Sequence, residues 1–517
     1  MGANDIILTT LNAKYIHAAF GLRYLLANLG PLRSRAEIME FEIGQQTLTI
    51  VENLLARQPK LIGFGVYIWN VNQTISVLKC LRRLAPDVRV VLGGPEVSYE
   101  VEGTEIVGLA DVVITGEADL IFAEVCGDIL ENGVSEKRIV RAPVPSLASI
   151  VPPYDLYSDD DVAHRIVYVE ASRGCPFTCE FCLSSLDIPV RQFPEDVFLA
   201  ELEKLYRRGV QHFKFVDRTF NLNLRSSRAI LKFFLERLRP GLFLHFEMIP
   251  DRLPEGLREI IARFPPGVLQ FEVGIQTFDV ATSKRISRRQ NYVKLADNFA
   301  YLRGETGVHI HADLIVGLPG EGIESFGRGF DRLIELRPQE IQIGILKRLK
   351  GTPITRHDEE WGLIYGEEPP FEILENGVIG FALMQRMRRF ARYWDLVGNS
   401  GNFTESVSLI WEGGRSPFES FLEFGDWLYQ AARRRHGIAL TKLVEFLFRF
   451  LTEIRGLDPK LVAATLWRDY RRTGRSDYPM VLRPHLPEID TVRGARKPGS
   501  GLKRQSRHLG VGAKSNS

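Results

Sequence analysis

The sequence predicts an α/β protein in which a parallel strand-and-helix series occurs twice and is followed by an α-helical region. Three observations lead there. Short apolar runs alternate with amphipathic segments up to about residue 145, the alternation restarts after a proline-rich stretch at Ala142 to Asp155, and beyond about Gly366 the apolar periodicity is helical.

In the first series the strand candidates are Ile6 to Leu11, Ile38 to Ile43, Leu61 to Tyr67, Val88 to Leu92 and Val112 to Thr115. Helical segments such as Thr74 to Leu84 separate them. The pattern predicts a doubly wound parallel sheet, which binds ligands beyond the C-terminal ends of its strands. Those ends carry Tyr67-Ile-Trp69-Asn70, Gly93-Gly94-Pro95-Glu96 and Gly116-Glu117. Glycine there admits a large flat ligand close to the backbone, although a tight strand-to-helix turn also calls for glycine.

The second series offers Ile166 to Ala171, Phe213 to Val216, Phe243 to Met248, Leu269 to Val273, Ile310 to Val316 and Ile341 to Leu346 as strands. Helices are expected between them, among them Glu195 to Arg208, Arg225 to Leu238 and Ile323 to Leu336. Six parallel strands with intervening helices describe a partial (β/α)6 barrel, whose functional groups stand at the C-terminal rim. The final region is expected to be helical at Met384 to Tyr393, Pro417 to Ala432 and Leu440 to Leu451, with its aromatic stripes in a core. The domain boundaries read as 1–142, a linker at 143–160, the barrel at 161–365, the helical region at 366–490 and a disordered basic tail at 491–517.

Composition narrows the function. With 45% hydrophobic and 25% charged residues the chain is an ordinary globular protein. No apolar run reaches the ~20 residues of a membrane helix, and the N-terminus lacks a signal-type pattern, so a cytoplasmic location is expected. The net charge is +2, but seven Lys or Arg lie after residue 490 with no acid among them, leaving a mildly acidic body of 59 basic and 64 acidic residues. That body argues against a broad nucleic-acid surface. Five cysteines, three of them clustered, do not make a secreted disulfide framework. Cys80 and Cys126 sit at helical spacing among apolar residues and read as core thiols.

The remaining three lie within eight residues, Cys175-Pro-Phe-Thr-Cys179-Glu-Phe181-Cys182, directly after a strand. Three thiolates are one ligand short of a closed zinc site or an ordinary four-cysteine cluster, and an open position suits catalysis. Zinc with a remote histidine, or plain buried thiols, are the alternatives. The C-x3-C-x2-C spacing, the aromatic Phe181 and the preceding strand resemble the radical S-adenosylmethionine (radical SAM) enzymes. That resemblance implies a four-iron four-sulfur cluster on Cys175, Cys179 and Cys182. It further implies that the methionyl amine and carboxylate of SAM chelate the fourth iron, and that an electron from the cluster cleaves SAM to a 5'-deoxyadenosyl radical.

Later strand ends extend the likeness. Phe215-Val-Asp217-Arg-Thr-Phe220 resembles an F-x-D-x-x-F run of the cobalamin-linked group; Asp217 would meet the methionyl ammonium, face the substrate, or simply cap a turn. Phe246-Glu247-Met248 ends the third strand, and Glu272-Val-Gly274-Ile-Gln276-Thr277 resembles the E-x-G-I-Q-S segment that lines SAM. Arg288, with Arg289 as competitor, would pair with the methionyl carboxylate. Asp313-Leu-Ile-Val-Gly317-Leu-Pro319-Gly320-Glu321 matches D-x-I-x-G-L-P-G-E, and Leu349 to Pro353 the closing L-x-G-T-P.

The N-terminal set, Leu92 to Glu96 followed by Asp111 to Ala118, resembles the cobalamin-binding domain that precedes the radical domain in cobalamin-dependent radical SAM proteins. It implies cobalamin near Tyr67, Trp69, Asn70, Gly93, Gly94, Pro95, Glu96, Gly116 and Glu117. The D-x-H-x-x-G motif of classical cobalamin proteins is absent; Asn12 to His17 occupies the comparable loop. His17 is either near the corrin or a surface or capping histidine. The resemblance implies a methyltransferase acting on an unactivated carbon, with rearrangement or cyclisation as the alternative and an electron carrier as the reading from another class. A flavodoxin or ferredoxin would be the electron donor. No motif names the substrate or the oligomeric state.

Overall fold

The computed structural model describes residues 5–133, 137–475, 477–486 and 503–508. They fall into two compact units, Met1–Arg218 with Arg348–Pro353 and Gly366–Glu372, and Thr219–Lys347 with Ile354–Tyr365 and Ile373–Ser517.

The first unit opens with β1 (Ile6–Asn12), α1 (Phe20–Ala27), β2 (Ala36–Glu42), α2 (Thr47–Leu55), β3 (Leu61–Gly65), α3 (Val71–Leu84), β4 (Arg89–Gly93), α4 (Glu105–Gly108), β5 (Val112–Thr115), α5 (Ile121–Asn132) and β6 (Ile139–Arg141). The sheet runs β2-β1-β3-β4-β5-β6 and is parallel throughout. Its topological switch lies between β1 and β3. β1 is buried along its whole length because helices cover both faces. Ile50, Leu54, Val77 and Leu78 pack on one face, and Leu22, Phe122, Val125 and Ile129 on the other. Cys126 is fully buried, and burial pushes its thiol up to about 12; Cys80 packs at the edge of the opposite core. β6 escapes the sequence reading because its apolar pair is flanked by Arg138 and Arg141.

The proline-rich stretch packs firmly. Tyr154 and Tyr157 are buried, and the Tyr157 hydroxyl donates to the Tyr168 carbonyl and accepts from the Tyr168 N–H. It leads into α6 (Asp159–His164), where Ser158 and Asp161 cap each other's backbone. Asp161 and Glu40 then share Arg23 and Arg165 in a buried four-charge network. β7 (Val167–Val169) follows, then β8 (Ser172–Arg173), β9 (Arg191–Gln192), α7 (Glu195–Arg207) and β10 (His212–Phe215). β10 pairs in parallel with β7, and β8 pairs antiparallel with β9.

In the second unit α8 (Leu224–Leu235), β11 (Phe243–Met248), α9 (Glu255–Ile261), β12 (Leu269–Gln276), α10 (Val280–Arg285), α11 (Tyr292–Glu305), β13 (His309–Val316), α12 (Ile323–Glu335) and β14 (Glu340–Ile345) continue the alternation. β11, β12, β13 and β14 pair in parallel in that order. All six strand candidates of the second series are therefore strands, and both series have the parallel α/β character expected. α13 (Asp358–Trp361) and the short hairpin β15 (Ile364–Tyr365) and β16 (Ile373–Glu375) precede α14 (Phe381–Val397), α15 (Pro417–Ala432), α16 (Leu440–Arg449) and α17 (Pro459–Arg472). Phe390, Trp394 and Phe418 pack with Phe330 of α12, and Phe421 packs on Phe390 and Trp394, so the aromatic stripes form a core.

Most of the basic tail lies outside the described residues. Within it Lys503–His508 forms α18. Arg504 pairs with Glu340 and Asp395, and Gln505 donates to Gln270.

Candidate functional site

Beyond the C-terminal ends of β3, β4 and β5 the first unit holds a cavity of about 400 Å3. Gly65, Tyr67, Gly93, Gly94, Gly116 and Glu117 line one side. Arg173, Gly174, Ser184 and Asp187, which flank the three cysteines, line another, with Val216 and Arg218 beyond them. A parallel sheet offers its ligand site at these strand ends, and here the wall opposite is the root of the cysteine loop.

The glycines along the rim differ in what they do. Gly94 has φ +108°, and a Cβ there would stand 2.5 Å from the Val66 carbonyl oxygen, so packing within the chain already demands glycine. At Gly93 a Cβ would meet only the Ile114 carbonyl oxygen at 3.8 Å, which leaves its face open to the cavity. Gly116 turns the chain with φ +82°. Tyr67 stacks on Trp69 with ring centroids 4.5 Å apart, and the Trp69 indole N–H donates to the Leu11 carbonyl.

Other expected rim residues are engaged elsewhere. Asn70 is fully buried, donates to Leu11 and Gly65 carbonyls and the Thr10 hydroxyl, and accepts from the Tyr67 N–H, locking the turn after β3. Glu96 is buried and paired with Lys350 at 2.9 Å, and Pro95 opens that same turn. Asn70, Trp69, Pro95 and Glu96 lie outside the cavity lining. His17 pairs its Nδ1 with the Tyr168 hydroxyl at 2.6 Å and bridges to Ile166, so it belongs to the packing beside β7.

The cysteine loop is a lobe closed at its root by the β8 and β9 pair. Cys175 and Cys179 are buried, and Cys182 and Phe181 are partly so. The Cys175 N–H donates to the Asp187 carbonyl, and the Cys182 N–H to the Cys179 carbonyl. Gly174, with φ +90°, lies so close to the lobe's return that a Cβ would stand 2.7 Å from the Asp187 carbonyl oxygen. Among the described residues no group of three His, Cys, Asp or Glu side chains converges on a single-ion site. The cysteines of an iron-sulfur cluster each hold a separate iron and stand apart rather than converging on one ion. Three thiols on one short loop suit a cluster that leaves one iron open.

Below the loop sits a dense charge cluster. Arg173 donates to Glu170, Glu117 and Asp119, and Arg191 to Glu117 and Asp187. Burial alone would raise the Glu117 carboxyl, yet hydrogen bonds from Arg191 and Arg173 hold it below its ordinary value. Burial raises Glu170. Asp217 at the end of β10 is buried, and its carboxyl accepts from the Ala171 N–H and the Ser172 hydroxyl at 2.6 Å. Burial pushes it up to about 7. Its bonds tie β10 to the strand end that leads into the cysteines. Arg173, Gly174, Asp187 and Arg191 were not anticipated from the sequence; an arginine and a glycine immediately before the first cysteine were the available signal.

The second unit brings together four other expected residues. At a bulge where β12 leaves register with β13, Gln276 adopts φ +73°. Its side-chain amide folds back over Gly274, so a Cβ there would have to displace it. The Arg288 guanidinium donates to the Gly274 carbonyl, while Arg289 is exposed. Gly274 pairs in register with Asp313, whose carboxyl lies 3.5 Å from the His311 Nε2. Glu247 is partly buried, one strand over, in register with Glu272. Gly317, with φ +91°, is covered by Ile373 and Met384.

Comparison with known proteins gives this arrangement its class. The Radical SAM superfamily model matches residues 169–333, the B12 binding domain model residues 6–126, and the model for a protein of unknown function, DUF4080, residues 359–491. The chain thus carries a B12-binding domain, a Radical SAM domain and a DUF4080 region, in that order. It is 24% identical over 442 residues to the cobalamin-dependent radical SAM methyltransferase TokK of Streptomyces tokunonensis, covering 76% of this chain and 62% of that protein. It is 32% identical over 197 residues to an uncharacterized methyltransferase of Pyrococcus horikoshii, covering 33% of this chain and 42% of the relative. The chain thus spans less than two thirds of the length of either. Its fold matches the cobalamin-dependent S-adenosylmethionine radical enzyme OxsB solved with aqua-cobalamin, with a TM-score of 0.61, 15% identity, and coverage of 90% of this chain and 80% of that one.

Proposed function

We propose that the chain is a cobalamin-dependent radical SAM methyltransferase that methylates an unactivated carbon. The observation that carries this reading is the cavity whose walls come from the rim of the N-terminal sheet and from the root of the cysteine loop. Cys175, Cys179 and Cys182 would hold a four-iron four-sulfur cluster, and the cavity would take cobalamin against Gly93, Gly116 and Tyr67. When bound, the cluster supplies an electron for cleavage of SAM, and cobalamin supplies a methyl carrier.

The protein's own work is to position and to enclose. The bonds from Asp217 to Ala171 and Ser172 fix the approach to Cys175, and Gly174 lets the lobe close tightly. In the second unit Glu247, Gln276, Arg288 and Asp313 are the groups proposed to meet the methionine and nucleoside of SAM, with Gly274 and Gly317 shaping their loops. Glu96, Asn70, Trp69 and Pro95 support the rim through the turns they hold rather than by facing the ligand. A reduced flavodoxin or ferredoxin would be the electron source.

The test is methyl transfer from methyl-labelled SAM. Reconstituted protein with cobalamin should yield labelled methylcobalamin and, in an extract of candidate substrates, a labelled product one methylene heavier. A SAM-derived change in an acceptor without label would instead select rearrangement or cyclisation.

A further inference from the structure

The Arg173 and Arg191 side chains leave the two strands that close the cysteine lobe, and both reach Glu117 on the sheet rim. Arg191 also holds Asp187, whose carbonyl accepts the Cys175 N–H, and Arg173 also holds Asp119 and Glu170. Glu117, Arg173, Gly174 and Asp187 all line the cavity. A ligand seated on the rim and a cluster seated in the lobe would therefore bear on one shared set of partly buried ion pairs. Each of these groups is mostly withdrawn from water, with side-chain exposure of 22% at Glu117, 13% at Arg173 and 18% at Arg191, so water does not stand in for a lost partner.

We propose that Glu117 is a positioning residue that couples the cavity to the cysteine lobe, so that filling the cavity with a corrin and filling the lobe with an iron-sulfur cluster strengthen each other. The coupling acts through Arg191 to Asp187, and so to the Cys175 amide, and through Arg173 to the backbone immediately before the cysteines. By linkage it is reciprocal: cluster loading changes corrin affinity by the same factor as the corrin changes cluster retention. This inference rests on the cofactor assignment above.

The experiment measures hydroxocobalamin affinity by absorption titration, on full-length protein with and without a reconstituted cluster, together with iron and sulfide content and the electron paramagnetic resonance spectrum of the reduced cluster. The native protein should bind the corrin about five-fold or more tightly when the cluster is present, and its cluster spectrum should shift on corrin addition. In Glu117→Gln, whatever its absolute corrin affinity, the affinity ratio should fall towards one and the spectral shift should be lost. Arg191→Lys, which keeps the charge, should recover part of the ratio that Arg191→Gln loses. If Glu117→Gln folds by circular dichroism and keeps the full ratio, or if the native ratio is one, the coupling role is overturned. Should native protein bind no corrin or no cluster, it is the cofactor assignment that fails, a separate result.

Discussion

At Gly93 and Gly94 two neighbouring glycines separate packing from binding. A Cβ at 94 would collide with the Val66 backbone, so Gly94→Ala should cost about 2 kcal/mol or more and lower the thermal midpoint. Gly93→Ala meets no close atom, so its stability should change by no more than about 1 kcal/mol while corrin affinity falls at least ten-fold, read by absorption titration. Sequence alone could not tell them apart, because a turn and a ligand cradle both call for glycine. The same limit held for Asn70 and Glu96: an amide and a carboxylate at a strand end look like ligands until their partners, Thr10, Leu11 and Lys350, are known. Asp217 carries a pH prediction. Its folded carboxyl titrates near 7 against an ordinary value of 3.8, so between these the native state holds the extra proton. Its contribution to stability is greatest below about pH 4 and is lost as pH rises to about 7. Thermal midpoints of the apo-protein should therefore fall less steeply across that range in Asp217→Asn than in the native chain; parallel curves would refute the assignment.

Among the elements, strands buried on both faces were the most legible, since a short run such as Val112 to Thr115 is apolar at every position and bounded by turn residues. The elements that escaped are those made by pairing rather than pattern: β8 and β9, two residues each, exist because Gly174 brings the lobe's ends together. The stretch at 143–160 has the prolines of a spacer, yet Tyr154 and Tyr157 are buried against β7. The Arg23, Glu40, Arg165 and Asp161 network beside it was invisible because its two halves are far apart in sequence, with Arg23 and Asp161 separated by 138 positions and Glu40 and Arg165 by 125. Replacing Arg23 with Met strands part of two buried carboxylates and should cost about 3 kcal/mol, measured as a lowered thermal midpoint. At the other end of the chain, α18 brings Arg504 to the buried Glu340. Arg504→Ala should cost about 2 kcal/mol and speed amide exchange at the start of β14.

Across the whole molecule, two parallel α/β series and a helical region follow from the period and order of apolar residues alone. The chemistry does not follow from fold, since such sheets host many functions. It follows from three thiols that fall one ligand short, and from a cavity whose walls join the cysteine lobe to the sheet rim within one compact unit. Substrate choice was not legible, because no residue type in the helical region is tied to one chemistry by its spacing. Whether the cysteine lobe initiates a radical from SAM is decided by anaerobic incubation of reconstituted protein with SAM and dithionite, read by mass spectrometry. The native chain should yield 5'-deoxyadenosine, and Cys175→Ala, Cys179→Ala or Cys182→Ala should lose it. Absence of 5'-deoxyadenosine from native protein that carries an intact four-iron cluster would contradict radical initiation at the lobe.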